Sequence, residues 1–168
     1  KGNERAKYFS TTYVDAFAGS GHRIDSSFVG ESDEDLLFGL ASDSDAQSLK
    51  KGSARIALEV EPVFDQYIFV ERSPERVAEL EELCTAFPTR KVKIHLGDAN
   101  AFLRSWCAKT NWTRNRAVVF LDPYGMQVDW TTVEVIAQTQ AIDLWWLFPL
   151  GVAVSRLLKR AELPPAAI

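Results

Sequence analysis

The stretch that decides the fold is Tyr13-Val14-Asp15-Ala16-Phe17-Ala18-Gly19-Ser20-Gly21. A short apolar run, residues 13–17, passes straight into a Gly-x-Gly turn. Glycines there let the backbone fold tightly, and they let a ligand approach main-chain N–H groups with no side chain in the way. A glycine pair alone also fits a plain strand-to-loop turn. The surrounding residues narrow the choice. A dinucleotide fingerprint needs a third glycine three residues on, where this chain has Ile24. It also needs an acid ~20 residues further on, whereas the acid that closes the next apolar run is Glu71. A phosphate loop needs Gly-Lys followed by Ser or Thr, and none occurs. A nicotinamide oxidoreductase is therefore a poor reading.

Outward from this turn, four more apolar runs read as strands: residues 67–70 (YIFV), 92–96 (VKIHL), 117–121 (AVVFL) and 144–148 (LWWLF). Runs apolar on both faces fit a parallel sheet covered on both sides. Helix signals lie between them. Ser73-Pro74-Glu75 offers a capping hydroxyl, a proline and an acid in the order of a helix entry. Val77, Leu80, Leu83, Cys84 and Phe87 follow at helical spacing, and Pro88 ends the run. Asp98 can cap a second helix carrying Phe102, Leu103 and Trp106. Asp129 opens a third with Val133, Ile136 and Ala137, and a fourth follows Gly151 with Val154, Leu157 and Leu158. The alternation predicts an α/β, doubly wound, mostly parallel Rossmann-like sheet in a single domain over residues 1–168. One insertion, at about 22–51, is rich in Ser and Asp and too long for an ordinary connection. It reads as a flexible flap, over the ligand or else inert, with Leu36-Leu37-Phe38 as a candidate short helix.

Composition excludes several classes. No apolar run reaches the ~18 residues of a membrane span, and the charged start is no secretory signal. A cytoplasmic chain without membrane partners is expected. Cys84 and Cys107 stand apart with no histidine cluster, so neither a disulfide framework nor a metal site is expected, and both read as core thiols. The net charge of -4 supplies no global attraction to phosphate backbones, so a nucleic-acid partner would need a local patch.

Three carboxylates close three of the strands. Glu71, in Val70-Glu71-Arg72, can accept from both hydroxyls of a ribose; an exposed strand-end acid is the plainer alternative. Asp98 follows the third strand in Gly97-Asp98-Ala99-Asn100 and is at least a helix cap. Asp122 ends the fourth strand in Leu121-Asp122-Pro123-Tyr124-Gly125, at the edge where open α/β sheets bind ligands.

The order Asp-x-Phe-x-Gly-x-Gly, then Glu71, Asp98 and Asp122-Pro123-Tyr124, resembles class I S-adenosylmethionine-dependent methyltransferases that methylate exocyclic amines. The resemblance implies that the loop through Asp15, Phe17, Ala18, Gly19 and Gly21 holds the methionine part of the cofactor. It implies that Glu71 serves the ribose with Arg72 also in the cofactor site, that Asp98 accepts from the adenine amino group, and that the Ala99 N–H reaches a ring nitrogen. Asp122 and the Pro123 carbonyl would accept from the target amine while Tyr124 stacks on it; these three are the catalytic candidates. The family's second proline is replaced by Tyr124, so the aromatic comes one position early. Gln127 and Trp130 are further pocket candidates, Trp130 equally a core residue.

Whole blocks, namely YVDAFAGSG, GSARIALEV, YIFVERSPER, GDAN, FLDPYGMQVDW and LWWLFPLGVAVSRLLKR, are similar to the three-Cys-motif partner protein family. That resemblance implies a class I methyltransferase, and the amino-methyltransferase motifs imply a methyl transfer to an amine, with a nucleobase or other nucleic-acid substrate in view. It also implies a partner protein carrying a three-cysteine motif and encoded nearby. The alternative is a methyltransferase-like binding module that works through that partner. A seven-stranded sheet of this type needs two strands beyond the fifth, so a piece of a longer protein is expected.

Overall fold

The computed structural model describes residues 8–21 and 52–148. Five strands alternate with helices: β1 (Ser10–Asp15), α1 (Ser53–Glu59), β2 (Gln66–Glu71), α2 (Pro74–Thr85), β3 (Val92–Leu96), α3 (Ala99–Lys109), β4 (Asn115–Leu121), α4 (Trp130–Gln138) and β5 (Ile142–Trp146). The strands form one sheet in the order β3-β2-β1-β4-β5, and every neighbouring pair is parallel. This is the doubly wound α/β arrangement that the alternation predicts. The insertion at 22–51 and the helix after Gly151 lie outside the described residues.

Residues opposite one another in a parallel register share a face. Val14 pairs with Ile68 and Val119, and Val119 with Leu144. These meet Leu103 and Cys107 of α3 and Ile136 of α4 in one core. On the opposite face, Tyr67 and Phe69 pack against Ala54 and Leu58 of α1 and Leu80 and Leu83 of α2. Farther along that face Val118 and Phe120 are half-buried and Trp145 is exposed.

The elements depart from the sequence reading at their ends. β1 starts three residues before 13, because Ser10, Thr11 and Thr12 pair with Asn115, Arg116 and Ala117 despite their polarity. It stops at Asp15, and the apolar Ala16 and Phe17 belong to the turn. β5 likewise runs two residues earlier than 144–148, with exposed Asp143 paired to Val118. α2 ends at Thr85 with Ala86 as its C-cap, so Phe87 lies beyond the helix. α1 has no sequence signal: its N-cap is Gly52, without a side-chain cap bond. Both cysteines sit in helices; Cys107 is buried, and Cys84 only half-buried. Burial pushes the Cys107 thiol up to about 11 and raises Cys84 as well, so neither is a ready nucleophile.

Candidate functional site

The sheet order reverses between β1 and β4, and crevices outside strand carboxyl ends at such a point are the usual ligand sites. A cavity of about 630 Å³ lies there. Its floor is Ala16 and Phe17. Glu71, Arg72, Ser73 and Arg76 line the β2 side, Gly97, Asp98, Ala99 and Asn100 the β3 side, and Asp122, Tyr124 and Gln127 the β4 side. The three strand-end carboxylates thus meet in one hollow. The volume lies within the ~300–1,000 Å³ of ordinary small-molecule pockets.

The glycine loop sits beneath and beside this hollow. Asp15 is fully buried and does not line it. One carboxylate oxygen accepts from the Phe17 N–H at 3.2 Å and the other from the Ser53 hydroxyl at 2.5 Å. Burial, with lesser contributions from the nearby charges of Asp122 and Glu71, raises its pKa to about 6; the Ser53 and Phe17 bonds oppose the rise. The Ala18 N–H donates to the Val70 carbonyl at 3.1 Å, so the loop's amides at 17 and 18 are committed within the protein. Gly19 and Gly21 adopt left-handed φ values of 61° and 71°. A Cβ on Gly19 would meet nothing within 4 Å, whereas one on Gly21 would fall 2.5 Å from a Leu83 methyl. Gly21 is therefore demanded by packing against α2. Ala18, Gly19, Gly21 and Pro123 do not line the cavity.

Glu71 is nearly buried. Its Oε1 accepts from the Arg72 and Ser73 N–H groups at 2.7 and 2.8 Å. Oε2 faces Arg76 at 4.0 Å. The two-oxygen grip expected for a diol narrows to Oε2, with Oε1 holding the turn into α2. Arg76 had no sequence signal beyond standing one helical turn after Arg72. Asp98 is exposed, and one oxygen caps α3 through the Ala101 N–H at 2.9 Å. Asp98, Ala99 and Asn100 all line the cavity, and an acid at a helix start with unpaired first-turn amides fits an acceptor and donor for a heterocycle. Asp122 is exposed, Pro123 is buried beneath it, and Tyr124 is 94% exposed. Gly125, at φ 83°, turns the chain back toward Gln127. Gln127 lines the cavity; Trp130 does not and is 66% exposed, so it is neither pocket wall nor core.

Asn100 was not legible from sequence. Its amide N–H donates to the Gln127 carbonyl at 2.8 Å. Its carbonyl oxygen accepts from the Asp129 N–H and the Thr132 hydroxyl, both at 2.9 Å. The partners lie on a loop and helix far along the chain, so no local pattern could reveal them.

No family model matches the chain, and no curated protein does. Among solved structures, a Streptococcus pyogenes chain described as a conserved hypothetical protein is similar over 82% of this chain and 64% of its own, with 17% identity and a TM-score of 0.45. An Escherichia coli chain described as "Putative methyltransferase yhhF" is similar over 87% of this chain and 64% of its own, with 15% identity and a TM-score of 0.42. This chain thus spans 64% of the length of each. Likeness at this level says nothing of activity.

Proposed function

We propose that the cavity binds S-adenosylmethionine and that the chain is a methyltransferase acting on an amine, with a nucleobase amine the first candidate. The observation that carries this reading is the meeting of Glu71, Asp98 and Asp122, from the ends of β2, β3 and β4, around one hollow. The groups present fit the cofactor. Glu71 Oε2 suits a ribose hydroxyl, and Asp98 with the start of α3 suits the adenine edge. The carboxylates also suit the positive centres of the cofactor, and Arg76 stands 4.0 Å from Glu71 Oε2 on the proposed ribose side.

Bound there, the cofactor would supply an electrophilic methyl group. Asp122 accepts a hydrogen bond from the target N–H and holds the nitrogen lone pair toward that methyl. That methyl would leave sulfur, which would keep the bonding electron pair, as the target nitrogen took it up. The surplus proton on nitrogen passes to the Asp122 carboxylate or to water. Tyr124, exposed on a turn stiffened by Pro123, offers a flat face to a planar target. A three-cysteine-motif protein as partner and a nucleic acid as substrate remain proposals that rest on the sequence blocks.

Calorimetric titration with S-adenosylmethionine and with NAD tests the reading: binding of the first and not the second is expected. Glu71→Ala should weaken cofactor binding by roughly 1–3 kcal/mol. Asp122→Ala should leave it nearly unchanged yet slow labelling of a nucleic-acid pool by on the order of a hundredfold. No binding to the wild-type chain defeats the proposal, and identical behaviour of the two variants defeats the division of roles.

A further inference from the structure

We infer that Asn100 is a positioning residue that couples the two walls of the cavity, so that a ligand seated against the start of α3 orders the loop bearing Asp122 and Tyr124. The inference rests on the reading of Asp98 and Ala99 as a cofactor wall. It concerns a residue to which that reading gives no role.

The geometry is specific. Asn100 is the second residue of α3, directly after Ala99, and it lines the cavity while only 8% exposed. All of its described side-chain hydrogen bonds cross from α3 to residues 127–132. Its Nδ2 donates to the Gln127 carbonyl at 2.8 Å, and its Oδ1 accepts from the Asp129 N–H and from Thr132 Oγ1, each at 2.9 Å. The reverse amide orientation would set an oxygen against a carbonyl and an NH2 against an N–H, so the contacts fix which end is which. Thr132 is fully buried, and its hydroxyl also accepts from Arg104 at 3.0 Å. Arg104 of α3 closes the circuit on the Asp129 carboxylate at 2.9 Å. The 127–129 end of the loop that begins at Asp122 is therefore held to α3 by a closed polar network whose hub is one side chain.

Such a hub transmits order. Residues 98 and 99 cap and begin the helix on which Asn100 stands, and Gln127 lies at the far end of the loop from Asp122. A ligand that stills the start of α3 stills the amide of Asn100, and with it the carbonyl at 127 and the N–H at 129. Gln127 contributes its main-chain carbonyl to this link, so its side chain is dispensable for it. An aspartate at 100 would keep the acceptor side and lose the donor, turning a carboxylate oxygen toward the Gln127 carbonyl. A valine at 132 would remove the hydroxyl and keep the shape, whereas a serine would keep the hydroxyl.

Amide hydrogen exchange on the whole chain, with and without S-adenosylmethionine, tests this. In the wild type, cofactor should protect residues 97–101 and also 123–128. In Asn100→Asp and in Thr132→Val, protection at 97–101 should persist, while that at 123–128 falls by about tenfold, the worth of one lost hydrogen bond. Thr132→Ser should behave as wild type. Equal protection of 123–128 in wild type and both network variants overturns the inference. So does faster exchange in β1 and β2 to the same extent as in the loop, which would mark a merely global loss of stability. If cofactor protects nothing in the wild type, the proposed cofactor site fails. The coupling inference is then judged by the free chain alone. Selective loosening of 123–128 in Asn100→Asp and Thr132→Val, absent in Thr132→Ser, supports it, and unchanged exchange there overturns it.

Discussion

Asp15 shows how a single residue can look like a ligand group and act as a strut. Its carboxylate is fully buried, held by the Phe17 N–H and the Ser53 hydroxyl, and its pKa is raised to about 6 chiefly by burial. A carboxyl with a folded pKa above its unfolded value holds its proton more tightly in the native state. Its contribution is therefore fully present below the unfolded value near 3.8 and is lost as pH rises through about 6. Asp15→Asn keeps the shape and removes the charge. Urea unfolding should find the variant more stable than wild type at neutral pH by up to about 3 kcal/mol, with the gap closing by about pH 4. Parallel stability curves for the two proteins across that range would show that Asp15 carries no such burden. At this scale, the sequence announced Glu71, Asp98 and Asp122 because each closes an apolar strand. It hid Asn100, whose partners Gln127, Asp129 and Thr132 belong to another part of the chain. In the glycine loop it did not reveal that the amides at 17 and 18 are used inside the protein.

The meeting of the glycine loop with α2 decides what happens when an element shifts. Gly21 has a φ of 71°, and a Cβ there would fall 2.5 Å from a Leu83 methyl that is itself part of the core. Gly21→Ala should therefore cost ~1–2 kcal/mol for the left-handed backbone and a further ~1–3 kcal/mol for overpacking. Leu83→Ala should cost ~2–5 kcal/mol on its own. Combined, the two should fall short of additive, because the smaller side chain vacates the space that the new Cβ needs. Chemical denaturation of the four proteins in this cycle measures the coupling, and strict additivity would mean that the loop moves away rather than pressing on α2. Gly19, with open space around its Cβ position, should show the backbone cost alone. The elements themselves were legible where both faces of a strand are buried, as in β2 with Tyr67, Ile68, Phe69 and Val70. They were less legible where polar residues take strand pairing, as in Ser10, Thr11 and Thr12. A helix of seven residues behind an uncapped glycine, α1, left no periodic trace long enough to read.

At the scale of the whole sheet, the order β3-β2-β1-β4-β5 sets in the middle the strand that comes earliest among the described residues. Every pairing in this sheet joins segments separated by a helix, so no hairpin can nucleate it. Thr12 pairs with Gln66 on one side, while on the other Ser10 pairs with Asn115. On a ribosome adding ~5–20 residues per second, β1 waits on the order of ten seconds between emerging and meeting its second neighbour. Throughout that interval the future centre of the protein is an open seam. Nascent chains stalled with β1, β2 and β3 outside the exit tunnel should still be cut readily by protease, and resistance should appear only when residues through 121 have cleared it. Resistance at the shorter length would mean that the three-stranded half closes by itself. Otherwise, whatever shields extended apolar chain as it is made must stay engaged until β4 arrives, and slowing translation ahead of residue 115 should lengthen the exposure and lower the yield of folded protein.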